Sequence, residues 1–211
     1  MTTYRITPRL VSWLLIFVLA ACGSRPVSNV GSTNAVVQQT VSNGEVQVVI
    51  SGGHDTDPRD GGRPVVLIAS ALGVPPEVFR EAFSHVHPAG AGWEPNPIQV
   101  RLNKKALLSV LGPYGIKNDR LDTVSNYYRF NGSAGETWPQ VQATAKAVVT
   151  NGVVTGFTII NPGSGYTSPP VIALVNSDAK ATAELSFTTD FSTNGSLAAI
   201  TLNPCGEDCD E

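Results

Sequence analysis

Apolar positions change their spacing several times along the chain, and each change predicts a different kind of segment. From Leu10 to Ala21 they form an almost unbroken run, with Arg5 and Arg9 before it and small residues at its end. A positive flank, an apolar core and a small-residue close are the layout of a secretory signal, and the run is shorter than the ~20 residues that span a bilayer. Residues 1–21 therefore read as a cleaved signal peptide. The small, polar stretch from Gly23 to Thr33 cannot bury a core, so 22–33 reads as a linker. Val- and Gln-rich segments at Ala35–Val41 and Glu45–Ser51 then flank Ser42-Asn43-Gly44. Asn-Gly tolerates the positive φ of a type I′ turn, so the pattern predicts an N-terminal β-hairpin.

Helical spacing takes over after residue 64. Pro64 to Leu72 is continuously apolar with Gly73 behind it, which fits a short buried helix and equally a strand. Val78, Phe79, Ala82, Phe83 and Val86 make one stripe of a helix over Glu77–Val86, started by Pro75-Pro76. Asn96-Pro97 opens a third helix, in which Ile98, Leu102, Ala106 and Val110 are expected to face inward. Leu107 and Leu111 widen that face, and Gly112-Pro113 ends the helix. A fourth is expected over Asp119–Phe130, capped by Asn118 or Asp119, with Leu121, Val124 and Tyr128 inward. Ile68–Val74 and the helix after it have the outline of a helix-turn-helix. Glu77, Arg80 and Glu81 leave that helix without the basic excess of DNA recognition.

Past Trp138-Pro139 the period becomes two. Val141–Val149 alternates, Asn151-Gly152 turns it, and Val153–Ile160 returns. Asn161-Pro-Gly-Ser-Gly-Tyr166-Thr-Ser-Pro-Pro170 then leads into Val171–Val175. The pieces recur: Ala143-Thr-Ala-Lys146 with Ala181-Thr-Ala-Glu184, Asn151-Gly152 with Asn194-Gly195, and Asn161-Pro162 with Asn203-Pro204. One full copy and one truncated copy are expected to stack as β elements. The whole reads as an α+β chain. The hairpin and a small bundle of about four short helices occupy 34–138, and an antiparallel β region with an imperfect repeat occupies 139–211.

Composition narrows the partners. Charged residues are 15 % of the chain and the net charge is −3, so nothing draws nucleic acid and no polybasic patch reinforces membrane contact. Cys205 and Cys209, with three residues between them, predict a small disulfide loop in an oxidising compartment. Glu207, Asp208 and Asp210 are poor companions for a thiolate zinc site.

The most chemically suggestive loop lies between Ser51 and Gly62. His54, Asp55, Asp57 and Asp60 crowd oxygen ligands of the kind Ca²⁺ prefers, at a spacing unlike an EF-hand. The alternative is that these carboxylates cap turns and the next helix, with Arg59 and Arg63 balancing their charge. His85 and His87, at a helix end, suit the helix dipole. Tyr127, Tyr128 and Arg129, with Trp138, offer either a sugar- or peptide-stacking surface or packing between two subdomains. No nucleophile elbow or Gly-rich phosphate loop follows a strand, so no catalytic residue is assigned and no cofactor is expected, Ca²⁺ being the alternative.

Three resemblances add to this. Leu19-Ala20-Ala21-Cys22 resembles the lipobox of bacterial lipoproteins. The resemblance implies cleavage before Cys22 and acylation of its thiol and new amino terminus, so that Cys22 anchors the mature chain to the cell membrane. Gly23, where an aspartate often marks inner-membrane retention, is compatible with the outer membrane. Residues from Val141 to Pro204, and Gly163-Ser-Gly-Tyr-Thr-Ser-Pro-Pro170 most of all, resemble a β repeat of phage tail-fibre-like and bacterial surface proteins, where such repeats are spacers or adhesive stalks. His54 to Trp138 is similar to an uncharacterised module of exported bacterial proteins. The function expected is that of an exported, lipid-anchored envelope or surface protein with a non-enzymatic binding or scaffolding role toward an envelope protein or glycan. The alternatives are a metal-assisted hydrolase using the His54–Asp60 loop and a purely structural envelope protein.

Overall fold

Proline and asparagine start the helices and glycine stops the first of them, much as the spacing predicts. A computed structural model of the chain describes residues 46–87 and 96–203. The expected signal segment, lipobox with Cys22, linker and first hairpin arm, and the expected disulfide pair Cys205 and Cys209, lie outside the described residues. Helix α1, Val65–Leu72, resolves the helix-or-strand ambiguity in favour of helix. Gly73 closes it in the left-handed region (φ 74), its N–H turned back to the carbonyls of Ala69 and Ser70. α2, Pro76–Ser84, starts on proline and ends at Ser84, two residues before Val86. α3, Pro97–Leu111, is capped by Asn96, whose Oδ1 accepts the N–H of Ile98 at 3.0 Å and of Gln99 at 2.9 Å. α4, Asn118–Tyr127, has no side-chain cap. Asn118 lies inside it and donates to Asp122 at 3.1 Å, so neither Asn118 nor Asp119 caps, and the helix ends short of Phe130.

The helices bury one continuous core of Leu67, Phe79, Leu111, Leu121, Val124 and Tyr128 with their neighbours. The inward face expected for α3 is corrected in its first half. Ile98 is 64 % exposed and Leu102 61 %, whereas Leu111 is buried and Leu107, Leu108 and Val110 pack on the core. The reason is rotation: a residue every four drifts about 40° around a helix of 3.6 residues per turn. Over three such steps the row that is inward at Val110 has turned away at Ile98.

Two β layers complete the fold. Strands β1 (Gln47–Ser51), β4 (Val171–Val175), β5 (Ala181–Ser186) and β6 (Ser196–Leu202) form an antiparallel sheet in the order β1-β4-β5-β6. β2 (Thr144–Thr150) and β3 (Val153–Asn161) form a separate hairpin. Phe157 and Ile159 of β3 pack on Ile172, Ala183 and Leu197 of the larger sheet. Asn151 (φ 52) and Gly152 (φ 81) make the left-handed pair the β2–β3 turn was expected to need. β5 and β6 form the second hairpin, with the repeat partners Ala145 and Ala183 buried alike. The second turn differs, since Asn194 is not among the left-handed residues and 187–195 make a longer connection. Of the hairpin expected at the N-terminal end, only the second segment is among the described residues. It is β1, and it pairs with β4, Gln47 opposite Val175 and Ser51 opposite Val171. Among the described residues no helix is long and apolar enough to cross a membrane.

Candidate functional site

The sequence points first to the acidic loop, and the structure disperses it. Asp57 caps the short turn Pro58–Asp60: its Oδ1 accepts the N–H of Arg59 at 2.9 Å. The Arg59 guanidinium then holds the same carboxylate at 2.7 Å, and these bonds lower its pKa to about 2. Asp60, 5 % exposed, takes a two-pronged grip from Arg80 of α2, Nε on Oδ1 at 2.7 Å and Nη2 on Oδ2 at 2.8 Å. That contact raises the Arg80 pKa further, and Nη1 reaches Glu77 at 2.6 Å. Arg80 is thus the partner of Asp60. Of the two arginines expected to balance the loop, Arg59 serves Asp57, while Arg63 donates to the Asp60 carbonyl at 3.1 Å and lies over the Phe83 ring at 4.4 Å. Asp55 contributes its backbone, accepting from Thr167 at 2.8 Å. Among the described residues, no three His, Cys, Asp or Glu side chains stand together as an ion site. Beside this network a cavity of about 380 Å³ is lined by Arg59, Arg63, Glu77, Glu81 and Phe83, its opposite charges largely matched.

His54 belongs instead to a hub built on Tyr166. The phenol is fully buried and its hydroxyl accepts the N–H of Ala143 at 2.9 Å. His54 lies flat on its ring, centroids 4.9 Å apart and planes 7° from parallel. The preceding carbonyl, Gly165, accepts from Trp138 Nε1 at 2.8 Å and from His54 Nδ1 at 3.3 Å. Burial lowers the His54 pKa below 6.5 and outweighs that bond, and burial raises the Tyr166 pKa. Glycine is required where strands and turn meet. A Cβ at Gly195 (φ 67) would collide with the Tyr166 backbone and with Leu67, and one at Gly53 (φ 85) would stand 2.7 Å from the Tyr166 ring.

A second polar joint connects helices to sheet. Asn194, 0 % exposed, donates from Nδ2 to the Leu67 carbonyl of α1 at 2.8 Å and to the Tyr128 hydroxyl at 2.9 Å. Its Oδ1 accepts from the Thr188 N–H at 3.1 Å and faces the Ser70 hydroxyl at 2.8 Å. Desolvation pushes the Tyr128 phenol up to about 12. Around the joint Tyr127 stacks on Phe191 at 4.3 Å, and Arg120 lies 5.1 Å over the same ring. Arg120 also donates to the carbonyls of Ala71 and Thr189, at 2.6 and 2.9 Å.

Of the four residues named for a stacking surface, Tyr128 and Trp138 are therefore buried and Tyr127 is half-buried in the joint. Arg129 is exposed beside Glu136, 3.5 Å away. These aromatics pack the junction between helices and β region, the second of the two readings. His85 and His87 are surface residues. His85 lies 3.1 Å from Glu81, and the His87 carbonyl accepts from Gln99 and Asn103, tying α2 to α3. Asn194 is the residue that sequence reasoning missed in its role: it stood out only as half of a repeated Asn-Gly pair. Compared with protein-family models, with curated proteins and with solved structures, the chain matches none.

Proposed function

We propose that this chain is an exported lipoprotein whose folded part is a non-enzymatic binding or scaffolding domain, held at the membrane by lipid on Cys22. The observation that carries the proposal is the sequence Leu19-Ala20-Ala21-Cys22 at the close of an apolar run with a positive flank. Gly23 suits outer-membrane placement, and Cys205–Cys209 suits an oxidising compartment. The character of the domain agrees with a body that displays a surface. Two of its buried polar side chains are spent on internal joints, Asp60 on Arg80 and Asn194 on Leu67 and Tyr128. A site for chemistry would leave such groups facing a substrate.

The test is photocrosslinking in intact envelopes, with crosslinkers placed at exposed positions of the domain. One recurring envelope protein or glycan adduct is the expected result. Adducts spread without preference would replace the binding role with a purely structural one, and recovery of the chain in the soluble fraction would overturn the anchor.

A further inference from the structure

The outward face of α3 supplies an inference that rests on the membrane placement proposed above. Ile98, Arg101, Leu102, Lys105 and Ser109 follow one another at steps of three and four residues, and all are exposed. They form a single stripe on the side of the helix opposite Leu107 and Leu111. Two large apolar side chains more than half exposed thus stand next to two cations on one face. Scattered surface leucines need no explanation, but an apolar pair flanked by long basic side chains has the composition of a helix lying in a lipid headgroup layer. The charge is local, and overall composition, which gave no reason to expect basic reinforcement at a membrane, averages it away. α3 carries Arg101, Lys104 and Lys105 and no acidic residue, in a chain whose net charge is −3. Of the three, Lys104 is paired, with Asp122 at 2.9 Å, while Arg101 and Lys105 show no carboxylate partner among the described residues.

We propose that this stripe is a second membrane contact, seated on anionic phospholipid headgroups. Arg101 and Lys105 would reach phosphates while Ile98 and Leu102 enter the boundary with the acyl chains. The anchor permits it. The linker read over 22–33 reaches at most ~3.5 Å per residue, about 40 Å, so lipid on Cys22 holds the domain within reach of the surface. What selects this face is then its charge and its apolar pair. The stripe would lay the domain against the lipid and leave the opposite side presented outward.

The full chain, mixed with vesicles of phosphatidylcholine and phosphatidylglycerol that include a photoreactive phosphatidylglycerol, tests this. Flotation reports attachment, and mass spectrometry maps the lipid adducts. Adducts concentrated on residues 98–109 are expected. They should fall at least about tenfold in the double variant Arg101→Glu, Lys105→Glu and in high salt, since both remove the attraction of the two cations to anionic lipid. Ile98→Asn with Leu102→Asn should also weaken them. All four positions are exposed, so unchanged thermal melting confirms that these variants fold. Adducts absent from α3, whether or not the chain floats, or unchanged by charge reversal, overturn the stripe. A chain that floats with adducts elsewhere leaves the lipid anchor standing.

Discussion

Asn194 of the turn before β6 and Tyr128 at the end of α4 meet at 2.9 Å, amide to hydroxyl, with Asn194 0 % exposed. Together with the bond from Asn194 to the Leu67 carbonyl, this pair fastens the helices to the sheet. Burial there makes the pair costly to break, because a polar group left without a partner away from water loses about 1–3 kcal/mol. Asn194→Ala leaves the Thr188 N–H and the Tyr128 hydroxyl without this partner and takes one bond from the Leu67 carbonyl, and should cost about 3 kcal/mol in urea unfolding. Tyr128→Phe should cost about 1 kcal/mol, and the double variant less than the sum. Additive losses would show that the two side chains act independently.

His54 gives the fold an acid-side sensitivity. Burial holds its pKa below the ordinary 6.5, so below that pH the unfolded chain takes up a proton that the folded ring resists. Stability is therefore full above 6.5 and is lost as pH falls from 6.5 toward the folded value. His54→Phe keeps a ring against Tyr166 and removes the titration. The slope of melting temperature against pH in this window should flatten in that variant, and an unchanged slope would assign the sensitivity elsewhere.

Arg80 and Asp60 are expected to behave as a buried pair. Arg80→Ala strands the Asp60 carboxylate and should cost about 3–5 kcal/mol. Asp60→Asn with Arg80→Met should recover much of that loss, because the pair repays little more than its own desolvation. The same melting experiment with a chelator tests the Ca²⁺ alternative at His54, Asp55, Asp57 and Asp60. An unmoved midpoint is the outcome that fits the arginine pairs, and a large drop would reinstate the ion.

Gly195 is among the least replaceable residues of the hub. Its φ of 67 and the Tyr166 backbone against it leave no room for a methyl group, so Gly195→Ala should cost several kcal/mol, about 3–5. Gly152, equally left-handed but with open space around it, should tolerate alanine at about 1 kcal/mol. Similar losses at both sites would mean that backbone strain, and not the crowding at Tyr166, decides the cost.

Local signals were readable in the residues and distant partners were not. Asn96-Pro97, Pro75-Pro76 and Gly73 mark helix ends because their effects act within one turn of the chain. Asn151-Gly152 marks its hairpin for the same reason. Leu121, Val124 and Tyr128 are inward as their spacing implies, while Ile98 and Leu102 are not, because a row of every fourth residue winds off the face over a long helix. Asp60 was visible as an acid in a loop, but its partner Arg80 lies 20 residues onward on another helix. Asn194 finds Leu67 across 127 residues. Polar pairings of that reach carry no periodic mark. That is why the acidic loop looked like a ligand cluster and proved to be divided between two arginines and an aromatic stack.

Cys22 is where the proposed membrane placement is decided. Mass spectrometry of the amino-terminal peptide of the mature protein, isolated from envelopes, should find Cys22 as the first residue, carrying lipid on both its thiol and its amino group. Cys22→Ala should give an unprocessed or released chain without lipid. A mature protein that begins elsewhere, or whose Cys22 bears no lipid, would contradict the account.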